Sequence, residues 1–432
     1  MARYLKRGRD HVARPDPEVV RTVAAILEDI ANRGEAAVRE WSARLDEWDP
    51  PDFRVGDEAI DRACAAVPGE LAGHIDTAAA QIRGFAEAQR ASLLDLEVEI
   101  GAGVVLGHRH VPVSRVGAYI PGGRYKLIAS ALMSVLTAKV AGVGHVAAAT
   151  PAGKGGVPDA TLYALRAAGA DVVYAIGGVQ AMAALAHGSL AGAAPVDLLV
   201  GAGNAYVAEA KRQLFGLVGI DLLAGPTEIL VIADESARPV VVAADLLGQA
   251  EHGPTSPAML VSLSERFARA VLGEVARLLG EWPTAEVAGT AWRELGTVVV
   301  ADDPEEAVRL SDAFAPEHLE LQVDAPAWYE ERLRNYGTVF VGETTNVTFG
   351  DKAVGTNHTL PTALGARFTG GLWVGSFLKM LTFQRLTPEA SRRLAVPAVA
   401  ISRAEGLPGH AISAELRLDL ERQPRLSRLP ME

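Results

Sequence analysis

Four short segments in the second half of the sequence each place a histidine beside or near an acid or an amide. In the first segment, Gln249 and His252 are three residues apart near the predicted end of a helix, which a Gly-Pro pair terminates. An amide oxygen and an imidazole at this spacing point the same way and could share a cation. The alternative is an ordinary helix C-terminus, where the helix dipole favours a histidine.

The second segment places a carboxylate next to an imidazole. Glu317 and His318 come at the head of a predicted strand, residues 319–323, whose apolar side chains alternate with polar ones as on a half-buried face. An acid and an imidazole in this position suit general acid–base catalysis. A solvated loop is the other interpretation.

The third and fourth segments are loops interrupted by glycine and proline. Asp351 and His358 share one glycine-rich loop, where a carboxylate and an imidazole could serve a metal or a substrate. Glu405 and His410 are separated by helix-breaking residues and precede a helix-like stretch that begins at Ala411. An ordinary ordered loop is the alternative for each pair.

Together the four segments offer nitrogen and oxygen ligands and no thiolate. Such a set suits zinc or manganese better than an iron–sulfur cluster, and its wide spacing fits a catalytic site with an open coordination position. The one cysteine, Cys64, lies in an alanine-rich run and is interpreted as a small buried side chain on a helix. A catalytic role for this thiol is therefore disfavoured. Spacing alone does not establish that the segments converge.

Helices and strands that alternate along the chain must position these residues. Residues 16–100 are predicted to be helical, with a turn at residues 49–52. From residue 117 to residue 232, short apolar runs predicted as strands (145–149, 172–176, 196–200 and 229–232) alternate with helix-like segments such as Asp159–Ala168. A second alternation, from residue 240 to residue 341, has predicted strands at 259–263, 298–300, 319–323 and 338–341 and helix-like segments such as Glu265–Leu279. This alternation predicts an α/β fold with two units, each a parallel sheet covered by helices. The tail after about residue 373 shows little strand character.

Length, charge and patterning restrict the class of protein. The 432 residues suggest two or three domains, and a net charge of -12 argues against a nucleic-acid partner, which requires basic surface. Residues 1–10 are basic with no apolar stretch after them, and residues 128–150 are interrupted by Lys139 and His145. We therefore expect no secretory signal and no membrane span, and place the protein in the cytoplasm. Gly201-Ala202-Gly203-Asn204 begins like a dinucleotide fingerprint but lacks the last glycine, so any NAD binds without the standard glycine-rich turn.

Six stretches occur in an order and spacing that a known family shares. They are Tyr119-Ile120-Pro121-Gly122-Gly123, Gly203-Asn204-Ala205-Tyr206-Val207-Ala208-Glu209-Ala210-Lys211-Arg212, Ala224-Gly225-Pro226-Thr227-Glu228, Gln249-Ala250-Glu251-His252-Gly253-Pro254, Ala315-Pro316-Glu317-His318-Leu319, and Gly350-Asp351 through Gly355-Thr356-Asn357-His358. In these stretches the chain resembles the histidinol dehydrogenases, from about residue 20 to residue 420. The resemblance implies a two-step oxidation of a small alcohol to a carboxylate through a bound aldehyde, with NAD and with Zn²⁺ (alternatively Mn²⁺) as cofactors.

The resemblance also implies roles for individual residues. Four of them would bind zinc: Gln249, His252, Asp351 and His410. His318 would be the general base, and Glu317 would activate the water. Three residues would contact the substrate: Thr227, His358 and Glu405. Three would contact NAD: Tyr119, Gln180 and Asn204.

The family resembled is a homodimer whose tail crosses to the partner, so Glu405 and His410 would complete the other subunit's site. On this basis we expect an N-terminal arm (residues 1–20) and a first α/β domain with the metal and acid–base residues (21–114 with 229–372). A second Rossmann-like domain (115–228) would bind NAD, and a dimerisation tail (373–432) would reach the partner. The absence of predicted strands from the tail fits this crossing.

Some features depart from the histidinol enzymes. Thr227 stands where they usually carry serine, Lys352 stands where they carry tyrosine, and residues 368–379 also differ. These features resemble the branch that includes sulfopropanediol 3-dehydrogenases, although residues 315–319 are closer to the histidinol enzymes. Unless it points to solvent, Lys352 would favour an anionic substrate. We therefore expect a small anionic diol such as 2,3-dihydroxypropane-1-sulfonate, with L-histidinol as the alternative and a catalytically silent binding protein as the second alternative.

Overall fold

The chain divides into two compact units, each of which makes most of its contacts within itself. The computed structural model describes residues 2–9, 16–122 and 125–422. The first unit spans Met1–Arg90 and Val113–Phe377, and the second spans Ala91–Pro112 and Leu378–Glu432. The finer division into an arm, two α/β domains and a tail stays a prediction.

Helices and strands alternate along most of the first unit. The strands of the chain are β1 (Arg3–Lys6), β2 (Leu96–Gly101), β3 (Val104–Pro112), β4 (Arg115–Tyr119), β5 (His145–Thr150), β6 (Val172–Ala175), β7 (Leu198–Val200), β8 (Gly219–Ile220), β9 (Ile229–Ala233), β10 (Ala258–Ser262), β11 (Thr297–Val300), β12 (His318–Gln322), β13 (Thr338–Val341) and β14 (Leu378–Leu386). The α-helices are α1 (Pro17–Arg33), α2 (Glu35–Asp46), α3 (Asp57–Ala66), α4 (Gly69–Ser92), α5 (Ile128–Ala131), α6 (Thr137–Ala141), α7 (Asp159–Ala168), α8 (Gly178–His187), α9 (Ala205–Leu214), α10 (Pro239–Ala250), α11 (Glu265–Leu279), α12 (Ala285–Leu295), α13 (Pro304–Phe314), α14 (Pro326–Glu330), α15 (Val347–Lys352), α16 (Pro388–Ala404) and α17 (Pro408–Glu415). A π-helical turn, Leu132–Leu136, joins α5 to α6, and 3-10 turns form at Gly365–Arg367, Val374–Phe377 and Leu420–Arg422.

The first sheet has six strands in the order β1-β11-β10-β9-β12-β13. All neighbours are parallel except β1, which runs antiparallel to β11. The central strands β9 and β12 are buried along their whole length, because helices cover both faces of the sheet. Ile229 and Val231 join a core with α10, α11 and α12, whereas Leu230 and Ile232 join a core with α13 and α14.

The second sheet has five parallel strands in the order β6-β5-β4-β7-β8. β4 is the central strand: β5 and β6 follow it on one side, and β7 and β8 follow on the other side, as in doubly wound folds. Helices α1 and α2 pack against α8 and α9 on this sheet, and Val23, Ile26 and Ile30 enter its core. The Asp16 side chain caps α1 by accepting a hydrogen bond from the N–H of Glu18.

The α/β fold class predicted from the sequence is confirmed. Each strand predicted between residues 145 and 341 forms, and the helices Asp159–Ala168 and Glu265–Leu279 have the predicted bounds. Strong amphipathic periodicity and glycine at the helix ends made these two helices easy to place. Across the described ranges, no helix is long and apolar enough to cross a membrane.

Two predictions of secondary structure are wrong in the second unit, where β14, β3 and β2 form an antiparallel sheet. Residues 96–100 are strand rather than helix, because Leu96, Val98 and Ile100 alternate with two glutamates at the period of a strand. The tail also has a strand of its own, since Leu378–Leu386 pairs with β3 over 9 residues. The apolar residues of this segment do not alternate with polar ones. Its strand conformation therefore depends on pairing with β3 and not on its own sequence pattern.

Candidate active site

The predicted acid–base residues lie at the amino-terminal edge of the six-stranded sheet. β9 and β12 are neighbours, and His318 is paired with Ile229 at the first position of both strands. Because the strands are parallel, the residues that precede them, Glu317 and Thr227–Glu228, also lie side by side. The common ligand-binding edge of open α/β sheets is the opposite, carboxyl-terminal one.

Crossover helices bring the predicted metal ligands back to the same edge. A helix between two parallel strands runs antiparallel to them, so its C-terminus returns to the amino-terminal edge. Helix α10 follows β9 and carries Gln249 in its last turn, and His252 comes just after it. Helix α15 follows β13 and carries Asp351 near its end. These three side chains line one cavity of about 290 Å³.

A chain of hydrogen bonds orients Glu317. Gln249 donates through Nε2 to Thr227 Oγ1, and Thr227 Oγ1 donates to Glu317 Oε2 at 2.5 Å. The same carboxylate oxygen accepts the backbone N–H of Glu228 at 3.0 Å. The Thr227 hydroxyl is thus bonded to two of the predicted site residues, and its predicted contact with the substrate stays a prediction.

The two ring nitrogens of the buried His318 have different surroundings. Nδ1 lies 3.1 Å from the carbonyl oxygen of Glu228, which can only accept a hydrogen bond. Within the described residues Nε2 has no hydrogen-bond partner, and it lies 3.7 Å from Asp351 Oδ1. Burial opposes a charge on His318, but the carboxylates of Glu317 and Asp351 outweigh it and raise the pKa of His318 well above its usual value. Because Nδ1 donates its proton to the carbonyl oxygen of Glu228, Nε2 is the atom able to exchange a proton with a ligand.

Glu228 is a functional candidate that the sequence analysis quoted in a motif but gave no role. Its side chain is buried, and Oε1 accepts the backbone N–H of Ala363 at 3.2 Å. Burial, followed by repulsion from Glu317, raises the pKa of Glu228 to about 8. A carboxyl group that stays protonated near neutral pH can lie this close to Glu317 without a second negative charge.

A second pair of acids, the buried Glu320 and the half-buried Asp245, was not predicted to have a role. The amide of Gln322 donates at 3.0 Å to both carboxyl groups, and burial raises the pKa of each acid. Glu320 lies two residues after His318 on the same face of β12, and Asp245 lies one helical turn before Gln249. Their spacing was visible in the sequence, but an acid in a strand or helix is more often interpreted as solvent-facing.

The donors that line the cavity fit a divalent metal with oxygen and nitrogen ligands. An amide, an imidazole and a carboxylate without a thiolate are ligands that zinc and manganese accept. Burial lowers the pKa of His252, which keeps its imidazole neutral and able to bind a metal. In the described part of the chain, no three His, Cys, Asp or Glu side chains are placed to hold a metal ion. A complete ligand set would therefore combine the amide of Gln249 with a further donor.

Two lysines line the same cavity. Lys352 is half exposed, and its Nζ lies 3.5 Å from Asp351 Oδ2. Lys126 comes from the segment that precedes α5 and was missed, since nothing in its sequence surroundings distinguishes it. The cavity lining therefore includes two positive charges beside the acids Asp245, Glu251, Glu320 and Asp351, while contact between Lys352 and a substrate stays a prediction.

The side chain of His358 joins the loop after α15 to α5. Its Nε2 lies 2.8 Å from Ser130 Oγ, and its Nδ1 lies 3.1 Å from the carbonyl oxygen of Asp351. The neighbouring Asn357 donates to the carbonyl oxygen of Met133, within the π-helical turn, at 3.0 Å. Both ring nitrogens of His358 thus have protein partners next to a metal-ligand candidate, and its role toward the substrate stays a prediction.

The remaining predicted ligands lie in the second unit. Glu405 follows α16 directly, and His410 is in the first turn of α17. Both side chains are exposed in this single chain. Their contribution to the site of a second copy stays a prediction.

A groove of about 740 Å³ runs along the carboxyl-terminal edge of the five-stranded sheet. It is lined by Pro121 and Gly122 after β4 and by residues 150–153 and 155–161 after β5. The strand order reverses between β4 and β7, and open α/β sheets bind ligands in the crevice beside such a reversal. The groove shares Lys126 and Leu127 with the cavity, so the two spaces are adjacent.

The three predicted NAD contacts lie at this carboxyl-terminal edge. Tyr119 ends β4, and its hydroxyl accepts the N–H of Gly178 at 3.2 Å. Gln180 is buried in α8 and donates through Nε2 to Asp46 at 2.7 Å, while its Oε1 has no partner within the described ranges. Asn204 caps α9 by accepting two backbone N–H groups. Whether they contact NAD stays a prediction.

The doubly wound sheet, the cavity with metal-type donors and the buried acid–base pair next to it are the arrangement expected of a metal-dependent dehydrogenase. The sequence model of one family, described as histidinol dehydrogenase, matches residues 10–418. The chain belongs to the histidinol dehydrogenase family, whose members are NAD-dependent dehydrogenases that act on alcohol groups and are generally zinc-dependent.

Individual relatives are similar over nearly the whole chain. A histidinol dehydrogenase homolog of Shouchella clausii is 51% identical over 97% of this chain and 99% of its own length. A sulfopropanediol 3-dehydrogenase of Ruegeria pomeroyi is 43% identical over 96% of both chains. The crystal structure of histidinol dehydrogenase from Elizabethkingia anophelis superposes with a TM-score of 0.90 at 33% identity, covering 96% of this chain and 95% of that one.

Proposed function

We propose that this protein oxidises a small primary alcohol to a carboxylate in two NAD-dependent steps, with a bound aldehyde between them. The observation that carries the proposal is that Gln249, His252 and Asp351 line one cavity, next to a dinucleotide-type groove. The acid–base pair lies directly behind these donors, since His318 is within 3.7 Å of Asp351 and Glu317 is joined to Gln249 through Thr227. The three donors would hold zinc, or manganese, which when bound polarises the oxygen of the alcohol.

His318 and Glu317 divide the proton chemistry. A cation bound beside Asp351 would offset the carboxylates that favour the imidazolium, so His318 would be neutral in the loaded site. It would then take the hydroxyl proton at Nε2 as hydride leaves the alcohol carbon for the first NAD. Glu317, held by Thr227 and by the backbone of Glu228, would take a proton from the water that adds to the aldehyde. Hydride then leaves the hydrated carbon for the second NAD, so one alcohol and one water yield one carboxylate and two NADH.

The active site is shared between two copies of the chain. Glu405 and His410 of the partner subunit would supply a substrate contact and the fourth metal ligand, beside the three donors that this chain brings to its own cavity. The helices of the second unit also expose large apolar side chains that a second copy would cover. Val396, Ile401 and Ile412 are 62%, 58% and 56% exposed.

The substrate is a small anionic diol such as 2,3-dihydroxypropane-1-sulfonate. Lys126 and Lys352 place positive charge at the cavity, which favours an anion over a cationic amino alcohol. A relative named sulfopropanediol 3-dehydrogenase supports this choice.

L-histidinol is a second candidate. Residues 315–319 are closer to the histidinol enzymes, and the cavity also contains the carboxylates of Asp351 and Glu251, which would attract a cation. Sequence similarity alone does not separate the two substrates, so the choice depends on the charge of the cavity.

The deciding experiment is NADH formation by the zinc-loaded protein with each compound, side by side. Turnover of the sulfonate alone supports the anionic substrate. Turnover of histidinol alone would mean that Thr227 and Lys352 do not change the substrate, and that histidinol is the substrate instead of the sulfonate. Absence of NADH with any alcohol, in a protein that binds no zinc, would support the catalytically silent alternative.

Replacing Lys352 tests the role of its charge. Lys352→Tyr should lower kcat/KM for the anionic diol by about two- to tenfold, a modest loss because the side chain is half exposed. Lys352→Arg keeps the charge and serves as the control, with activity within about twofold of wild type. An equal loss for charged and neutral alcohols in Lys352→Tyr would contradict a specific contact with the anion.

A further inference from the structure

In doubly wound sheets that bind NAD, an acid at the carboxyl end of the strand beside the central one hydrogen-bonds the ribose hydroxyls of the adenosine. The strand in this position is β5, next to the central β4. β5 ends at Thr150, and Pro151, Ala152 and Gly153 follow it, so the strand itself supplies no acid.

Asp46, the last residue of α2, fills this position from another part of the chain. A β-carbon built on Gly177, just after β6, would lie 2.7 Å from the Pro151 side chain and 3.5 Å from Asp46 Oδ2. The carboxylate therefore lies beside the residue that follows β5. Asp46 is exposed and lines the groove, and Trp48 fixes the end of α2 by donating to the carbonyl oxygen of Ala175 at 2.7 Å.

Two further observations indicate a ligand at this carboxylate. Asp46 lies at the C-terminus of α2, where the helix dipole disfavours a negative side chain, so the position is not explained by helix stability. Gln180 is buried and donates to Asp46 Oδ2 at 2.7 Å, which leaves Oδ1 for another partner and holds the carboxylate toward the groove.

We infer that Asp46 binds the adenosine ribose of the cofactor and selects NAD over NADP. The inference rests on the proposed function, since it places the dinucleotide in this groove. Lys126 is the one basic residue that lines the groove in the described part of the chain, and it lies at the end shared with the active-site cavity. The nicotinamide must reach that end, so the adenosine lies toward Asp46 and away from Lys126. A 2′-phosphate would meet a carboxylate and the negative end of α2.

The experiment measures the Kd values of NADH and NADPH for the full-length protein by isothermal titration calorimetry, without substrate. Wild type should bind NADH more tightly by at least about tenfold, because a carboxylate repels the phosphate. Asp46→Asn keeps the shape and the acceptor for Gln180, and should reduce this preference by about tenfold. Asp49→Asn removes an equal charge three residues away, where Asp49 bonds Arg39 instead of lining the groove, and should keep the preference.

A second measurement needs no variant. Wild type should bind 5′-AMP more tightly than adenosine 2′,5′-bisphosphate, because the discrimination acts at the ribose. An NADH preference that Asp46→Asn leaves unchanged, or equal binding of the two nucleotides, would overturn the assignment of Asp46 and leave the proposed function standing. A wild-type protein that binds neither NADH nor NADPH would overturn both.

Discussion

Thr227 gives the sharpest test of how the site is organised, because one hydroxyl joins Gln249 to Glu317. Thr227→Val keeps the shape of the side chain and removes both hydrogen bonds. Thr227→Ser keeps the hydroxyl and loses only a methyl group. The pair of variants therefore separates the hydroxyl from the rest of the residue.

The size of the effect follows from the two bonds. A hydrogen bond to a charged carboxylate contributes about 1.5–3 kcal/mol and a neutral one about 0.5–1.5 kcal/mol, so together they contribute about 2–4 kcal/mol. If this energy holds Glu317 in position to activate water, its loss lowers kcat/KM by about 30- to 1000-fold. Thr227→Ser should stay within about threefold of wild type.

The assay is steady-state NADH formation, accompanied by thermal unfolding of each variant. Activity of Thr227→Val within threefold of Thr227→Ser would refute the orienting role of the hydroxyl. A lower melting temperature of Thr227→Val with unchanged kcat would show that the two bonds stabilise the fold and do not serve the reaction.

Two other perturbations test the site's charge and its subunit composition. Folding raises the pKa of Glu228 from 4.5 to about 8, so between pH 4.5 and about 8 the unfolded chain releases a proton that the folded protein keeps. The stability of the wild type therefore falls as the pH rises through this range. Glu228→Gln removes this titrating group and should flatten the pH dependence of the melting temperature. An equal fall in both proteins would contradict the raised pKa. Mixing inactive Glu317→Gln with inactive His410→Ala should restore activity to about a quarter of wild type, because half of the dimers are hybrids with one intact site each. No recovery after confirmed subunit exchange would place each site within a single chain.

The fold could be predicted where one periodicity dominates a segment. Helix α11 alternates apolar and charged residues at the helical period between Ser264 and Gly280, and its predicted bounds were confirmed. β14 could not be predicted, because its residues carry no period and form a strand only through pairing with β3. The local pattern therefore sufficed where burial depends on one face of an element, and failed where a distant strand supplies the pairing.

The site could be predicted in part for a related reason. Glu317 and His318 were recognisable because an acid and an imidazole stand next to each other at the head of a strand. The position of Asp46 beside the groove could not be predicted, because it depends on contacts with Gln180 and Gly177, which are more than a hundred residues away in the chain. Glu320 was missed because its burial comes from the crossover helices, which bring Asp245 next to it.

The use of opposite edges in the two sheets has an electrostatic reason. At the carboxyl-terminal edge of the five-stranded sheet, helices α7, α8 and α9 begin, and helix N-termini favour the negative charge of a pyrophosphate. At the amino-terminal edge of the six-stranded sheet, α10 ends, and its C-terminal carbonyl groups favour a cation beside Gln249 and His252. A metal at the carboxyl-terminal edge of the six-stranded sheet would instead face helix N-termini. A βαβ unit can therefore present either kind of site. In this protein the sheet edge that favours a cation lies next to the sheet edge that favours an anion, and Lys126 and Leu127 line the spaces at both edges. Under the proposed function, the metal, the substrate and the dinucleotide would meet there.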